Sequence, residues 1–192
     1  MNTPIILASS SPRRKDLLRQ IGVVFTSDHV DVDERVLPNE IPEVYVVRVA
    51  LDKARAAAQR AGTGIVIAAD TIVVLDDAIL GKPSDARDAA RMLTLLSGRG
   101  HRVITGLAII EAATRKTLTR TEITHVWFHN LAQDEISSYV NTGEPLDKAG
   151  AYGIQGKGAL LVDRIEGCYF NVVGLPLSLL AKMLRSFGIK VI

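Results

Sequence analysis

Between Ile65 and Leu75 the chain reads IVIAADTIVVL, an almost continuous apolar and β-branched run broken only by Asp70 and Thr71. Continuous rather than alternating hydrophobicity predicts a strand buried on both faces, as in a sheet covered by helices. Other elements fall in place around it. Ile5 to Leu7 reads as a short buried strand; Ser11 is placed to cap a helix with Pro12 at its first position, Leu17, Leu18 and Ile21 on one side, and Gly22 at its end. Val23 to Thr26 reads as a second strand. Pro42 and Glu43 open a long helix running to about Arg60, with Gly62 just beyond. After the turn at Asp76 and Asp77, Ala78 to Leu80 is a return strand. Ser84 is placed to cap a helix reaching Leu96 and stopped at Gly98, with Asp85 and Asp88 in its first turn. His101 to Ile110 and Leu118 to Phe128 predict a hairpin. Gln133 to Asn141 predicts a short helix, Ala159 to Ile165 a strand, Pro176 to Gly188 a helix, and Ile189 to Ile192 an edge strand. Strands and helices interleave without repeats, low-complexity tracts or linkers. The expectation is a single α/β domain over residues 1–192.

Composition narrows the classes of function more than it identifies one. A chain of 192 residues with 47% hydrophobic and 23% charged residues has ordinary globular proportions, and it is long enough to bury a good core. The formal net charge of +2 does not predict general affinity for nucleic acid or an anionic membrane. Any basic chemistry is therefore local. Cys168 is the single cysteine, which excludes an internal disulfide framework. No run approaches the roughly 18 apolar residues needed to span a bilayer. A soluble, cytoplasmic protein without nucleic-acid or membrane partners is expected.

The segment ILASSSPRRKDLLRQI, from Ile6 to Ile21, puts Ser9, Ser10 and Ser11, then Arg13 and Arg14, at a strand-to-helix junction. Exposed N–H groups and the positive end of a helix dipole attract phosphate, and guanidinium groups match its oxygens. An ordinary capped helix with a solvated basic first turn is the other reading of this stretch. Arginines there oppose the helix dipole, a small cost that a bound anion would remove. Asp70 poses a sharper requirement: a carboxylate inside an apolar strand must leave the core, be paired or hydrogen-bonded, or bind metal. Lys82 sits in the stiff turn Gly81-Lys82-Pro83, where it is either a phosphate ligand or a solvated loop lysine. Glu34, Lys53 and Gln155, taken singly, read as surface residues. Together, these groups suit hydrolysis of a nucleoside triphosphate. Arg13, Arg14, Lys53 and Lys82 would neutralise phosphate oxygens, while Glu34 and Asp70 would hold Mg²⁺ or Mn²⁺ and activate water. An oxygen-only ligand set implies a hard cation rather than zinc.

Several familiar motifs fail. Five of the 15 glycines fall between Gly143 and Gly158, which reads as a long functional loop. A P-loop there would need glycine at position 151 and Ser or Thr at 158, where the chain has Ala151 and Gly158. His125 and His129 lie in a strand-like segment, where four residues span about 13 Å and cannot share one ion. No dinucleotide fingerprint, HExxH or GxSxG occurs.

In order along the whole chain, ASSSPRR, the DVDE that ends at Glu34, AADT at 68–71, GKP at 81–83, SG at 97–98 followed by HRVITG, and DKAGAYGIQGKG together resemble the Maf family of nucleotide pyrophosphatases. That resemblance implies a fold similar to the inosine triphosphate pyrophosphatases: an elongated mixed twisted sheet flanked by helices, with two lobes around a cleft. The implied reaction cleaves a nucleoside triphosphate between its α and β phosphates with a divalent metal. Asp70 matches the proton acceptor, and Arg13, Thr71 and Gln155 match substrate-discriminating positions. Their identities are those of the branch acting on dTTP and UTP, including modified uridine triphosphates, rather than on 7-methyl-GTP. Ala68 replaces a glycine found in some relatives. Gln155 can both donate to and accept from a uracil edge, and Tyr152 is expected to offer a stacking face. A nucleotide-sensing regulator of cell division or septum formation is the competing class. A homodimer is compatible with the resemblance.

Overall fold

The apolar run forms β3 (Ile65–Leu75) with the predicted bounds, and every residue in it except Thr71 is buried. In the computed structural model, which describes residues 3–192, β3 is central to a seven-stranded mixed sheet. The strand order is β2 (Thr26–Ser27), β1 (Ile5–Leu7), β3, β5 (Gly100–Glu111), β6 (Thr117–Phe128) and β7 (Val162–Glu166); β4 (Ala78–Leu80) pairs with β3 outside this path. The pairs β1–β2 and β1–β3 are parallel, with Ile6 opposite Thr26 and Val66. The pairs β3–β4 and β6–β7 are antiparallel. Parallel pairing at β1 is what places a helix after each of these short strands.

Two compact units divide the chain: Met1–Asp70 with Thr105–Glu122 and Gly174–Ile192, and Thr71–Ile104 with Ile123–Val173. The first contains α1 (Pro12–Gln20), α2 (Pro42–Ala61) and α6 (Leu177–Arg185). Its α2 buries a face of Val46, Val49, Ala50, Ala54, Ala57 and Ala58, the spacing that keeps one side of a helix inward. These alanines meet Ala8, Val66, Ala68, Ala108 and Ala112 in one small-residue core. The helix comes so close to the sheet that a Cβ at Gly106 would lie 2.3 Å from the Val46 carbonyl oxygen. Glycine is required there by contact rather than by torsion.

The second unit contains α3 (Ala86–Leu96), α4 (Gln133–Asn141) and α5 (Tyr169–Val173). Met92, Leu93 and Leu96 of α3 and Ile136, Tyr139 and Val140 of α4 pack with Val73, Leu75, Val126 and Phe128. Here the structure corrects several expectations. Asp85, not Ser84, caps α3: its carboxylate accepts from Asp88 N at 2.8 Å, while Ser84 N donates to Asp88 Oδ2 at 3.1 Å. The segment from Gly143 to Gly158 is a loop only in part: short 3₁₀ turns form at Glu144–Asp147, Ala149–Ala151 and Gly156–Leu161, and residues 152–155 between the last two stay irregular. That last turn delays β7 to Val162 and takes up Ala159 to Leu161. In the first unit, β2 begins only at Thr26, and Ile189 to Ile192 forms no strand.

Candidate active site

Where β1 ends, the chain turns directly into the basic helix. Ala8 N donates to Ile67 O at 2.8 Å, which holds the turn against β3. Ser9 is buried, and its Oγ accepts from Ser11 N at 3.2 Å and from Arg14 Nη1 at 3.4 Å. Ser11 caps α1 as expected, with its Oγ 3.5 Å from Arg14 N. Arg14 Nε donates to Gly174 O at 2.9 Å, so the guanidinium is held from two sides. No acidic residue stands in the first turn of α1 to balance Arg13 and Arg14. Burial lowers the Arg14 pKa, and the charge of Asp70 opposes that shift; Arg13 adds to the lowering and Glu34 resists it. Ser10 is exposed beside this group.

Asp70 is 8% exposed, which satisfies the sequence requirement that it be paired. Its partner is Lys53, whose Nζ lies 2.8 Å from Asp70 Oδ1 and 2.7 Å from Glu34 Oε1. The lysine side chain is 12% exposed, so this residue is not the surface lysine its isolated position in the sequence suggests. One ammonium thus joins two carboxylates from distant parts of the chain. Glu34 itself lies on a segment without regular secondary structure, and side chains of α2 hold that segment by its main-chain carbonyls. Tyr45 Oη donates to Glu34 O at 2.7 Å; Arg48 Nη1 donates to Asp33 O at 3.3 Å and Nη2 to Arg35 O at 2.9 Å. Three successive carbonyls are therefore fixed by two side chains of one helix. Arg48 is in turn oriented by Glu40, with Nε–Oε1 at 2.6 Å and Nη2–Oε2 at 2.8 Å, a bidentate pair. Burial, then the charges of Asp70 and Glu34, push the Tyr45 phenol up to about 12. It stays a donor at any physiological pH.

Sequence reasoning missed Tyr45 and Arg48. The available signal is their position on the same helix as Lys53, but their partners are main-chain oxygens that no residue pattern displays. The structure thus brings Ser9, Arg14, Glu34, Lys53 and Asp70 together within the first unit, with Arg13 on the same helix turn as Arg14. Thr71, Lys82 and Gln155 belong to the second unit. Thr71 follows Asp70 in β3, where alternation turns successive side chains to opposite faces. Lys82 and Gln155 are exposed on loops. Tyr152 does not offer a stacking face. Its ring is buried edge-on to Phe128 at 4.7 Å and to His101 at 5.4 Å, with its hydroxyl 2.8 Å from His101 Nε2.

The donor set bears on metal binding. Glu34 and Asp70 offer only oxygen, share one ammonium, and are joined by no third His, Cys, Asp or Glu in a metal-holding group among the described residues. Two carboxylates suit a Mg²⁺-type ion that keeps waters and takes further oxygens from phosphate.

A helix-flanked mixed sheet of this kind is shared with a solved HAM1 protein from Coxiella burnetii, at a TM-score of 0.56 and 16% identity over 96% of this chain and 100% of that one. That likeness defines the fold class. Sequence comparison gives the family: the Maf-like protein family matches residues 4–187. The chain is 48% identical to the dTTP/UTP pyrophosphatase of Desulforamulus reducens over 98% of its length and 99% of the relative's. It is 49% identical to that of Acetivibrio thermocellus, with 98% and 97% covered, and 50% identical to that of Moorella thermoacetica, with 97% and 96% covered. The chain belongs to the Maf family, as its motifs led us to expect.

Proposed function

We propose that this protein hydrolyses dTTP and UTP to the nucleoside monophosphate and pyrophosphate, with Asp70 as the group that accepts a proton from the attacking water. The observation that carries this reading is the Asp70–Lys53–Glu34 bridge in the unit that also holds the Ser9–Arg14 turn. The names of the similar proteins support the choice of substrates. Lys53 engages Oδ1 of Asp70 and leaves Oδ2 to orient a water. The water oxygen bonds to a phosphorus of the α–β bridge as the bridging P–O bond breaks; its proton passes to Asp70 and then to solvent. Ser9, Ser10, Arg13, Arg14 and the N–H groups opening α1 bind phosphate oxygens, where they meet charge as it develops on the leaving pyrophosphate. Lys53 and Lys82 add positive charge to the same task. Glu34 and Asp70 would hold Mg²⁺ or Mn²⁺, which when bound neutralises phosphate oxygens. Lys82 and Gln155 receive their roles from the GKP and AYGIQG motifs that carry them; Arg13, Thr71 and Gln155 set the choice of nucleotide. A cytoplasmic setting and a homodimer belong to the same proposal, and fractionation and sedimentation test them.

Asp70→Asn is expected to fold normally and to lose turnover by about a thousandfold. Parental rates of UTP hydrolysis in this variant would overturn the assignment. Pyrophosphate release measured with dTTP, UTP and 7-methyl-GTP, each with Mg²⁺ or Mn²⁺, tests the substrate choice. Binding without release from any of the three would instead identify a nucleotide sensor.

A further inference from the structure

Gln155 is the exposed tip of a short glycine loop, and the two arms of that loop end on two side chains that bond each other. On the leading arm, Gly153 N donates to Tyr139 Oη at 3.3 Å. On the trailing arm, Lys157 N donates to Glu144 Oε2 at 3.1 Å and Gly158 N to Glu144 Oε1 at 3.2 Å. Tyr139 and Glu144 are themselves joined, Tyr139 Oη donating to Glu144 Oε1 at 3.0 Å. The arms close tightly: a Cβ at Gly158 would lie 2.2 Å from Gly153 O and 2.6 Å from Tyr139 Oη. Tyr139 is buried in the core by α4, so the clasp is anchored to a packed element rather than to solvent.

We propose that Tyr139 and Glu144 are specificity-positioning residues: their clasp on Gly153, Lys157 and Gly158 fixes the backbone that presents Gln155 to the nucleotide base. A carboxamide tells uracil from cytosine by the direction of two hydrogen bonds, since the two bases exchange a carbonyl for an amino group and a ring N–H for a bare nitrogen. That discrimination requires the carboxamide to arrive in one orientation, which a glycine loop without side-chain anchors would not supply. The inference rests on the proposed role of Gln155 as a reader of the base.

The test is the ratio of kcat/KM for UTP over CTP in Tyr139→Phe, Glu144→Gln, Gln155→Ala and Tyr139→Phe/Gln155→Ala. Tyr139→Phe removes the hydroxyl alone and keeps the packed ring. Each single variant is expected to lower the ratio about tenfold, the scale of one oriented hydrogen bond. The double variant is expected to match Gln155→Ala rather than multiply the two losses. Amide exchange at Gly153, Lys157 and Gly158 is expected to quicken in the Tyr139 and Glu144 variants. A residue that merely supported the fold would lower activity on UTP and CTP alike and leave the ratio unchanged. If Gln155→Ala alters the ratio while Tyr139→Phe and Glu144→Gln retain it, the clasp has no positioning role and only this inference falls. If Gln155→Ala also retains it, Gln155 does not read the base, and the inference falls together with that assignment.

Discussion

Lys53 occupies a position where one cation serves two anions, and removing it leaves Asp70 without the partner that makes its burial tolerable. Lys53→Ala is expected to cost about 3 kcal/mol of folding stability, the scale of breaking a buried pair from one side. Urea unfolding at neutral pH measures this, and a variant as stable as the parent would show that Asp70 finds another partner. Turnover is expected to fall as well, because the carboxylate loses its orientation. These residues differ in how far they could be read from the sequence. Asp70 is legible because a charge inside IVIAADTIVVL breaks an otherwise uniform pattern. Lys53 is not, since a lysine on an amphipathic helix looks the same whether it faces water or a carboxylate brought in from another strand. Tyr45 and Arg48 are less legible still, for they bind the carbonyls of residues 33, 34 and 35. Tyr152 misled in the opposite direction: its place in AYGIQG suggested stacking, whereas its ring completes a core with Phe128 and His101.

Among the elements, α2 matters most to the site because it carries Tyr45, Arg48 and Lys53 on a helix seated directly on the sheet. Gly106→Ala tests that seat. The added methyl group would meet Val46 O at 2.3 Å and Val47 N at 2.7 Å, both main-chain atoms that no rotamer change can move. The expected loss is about 3 kcal/mol by chemical denaturation. Because the helix must shift, turnover is expected to fall further than stability alone explains, and kcat measured well below the unfolding transition separates the two. Long elements with strong patterns were legible with accurate bounds: β3 at Ile65 to Leu75, α4 at Gln133 to Asn141, and α2 between Pro42 and Gly62. Errors gathered where local chemistry offered near-equivalent choices. Ser84 and Asp85 are both good caps, and the reciprocal bond to Asp88 decided for the second. The glycines between 143 and 158 signalled a loop, yet Glu144 and Tyr139 fold part of it into 3₁₀ turns through bonds to main-chain amides.

For the whole molecule, His101 ties stability to pH. It is buried, its Nδ1 has no hydrogen-bond partner among the described residues, and desolvation lowers its pKa from 6.5 to about 4. The unfolded chain therefore takes up a proton near pH 6.5 that the folded chain refuses until about pH 4. Stability is full above the first value and falls as the pH drops toward the second, by about 3 kcal/mol across the window. His101→Gln is expected to remove that part of the slope; urea unfolding of both proteins at pH 7, about 5.5 and about 4.5 compares them. An unchanged slope would assign the loss to carboxylates instead. The overall architecture was legible because interleaved strands and helices admit few arrangements, and because the Maf motifs span nearly all of the chain. The seating of α2 on Gly106 also bears on how the Lys53 bridge is held. A helix resting main chain on main chain cannot slide without moving the strand beneath it, so the ammonium of Lys53 is set by the strand's path as much as by its own rotamer.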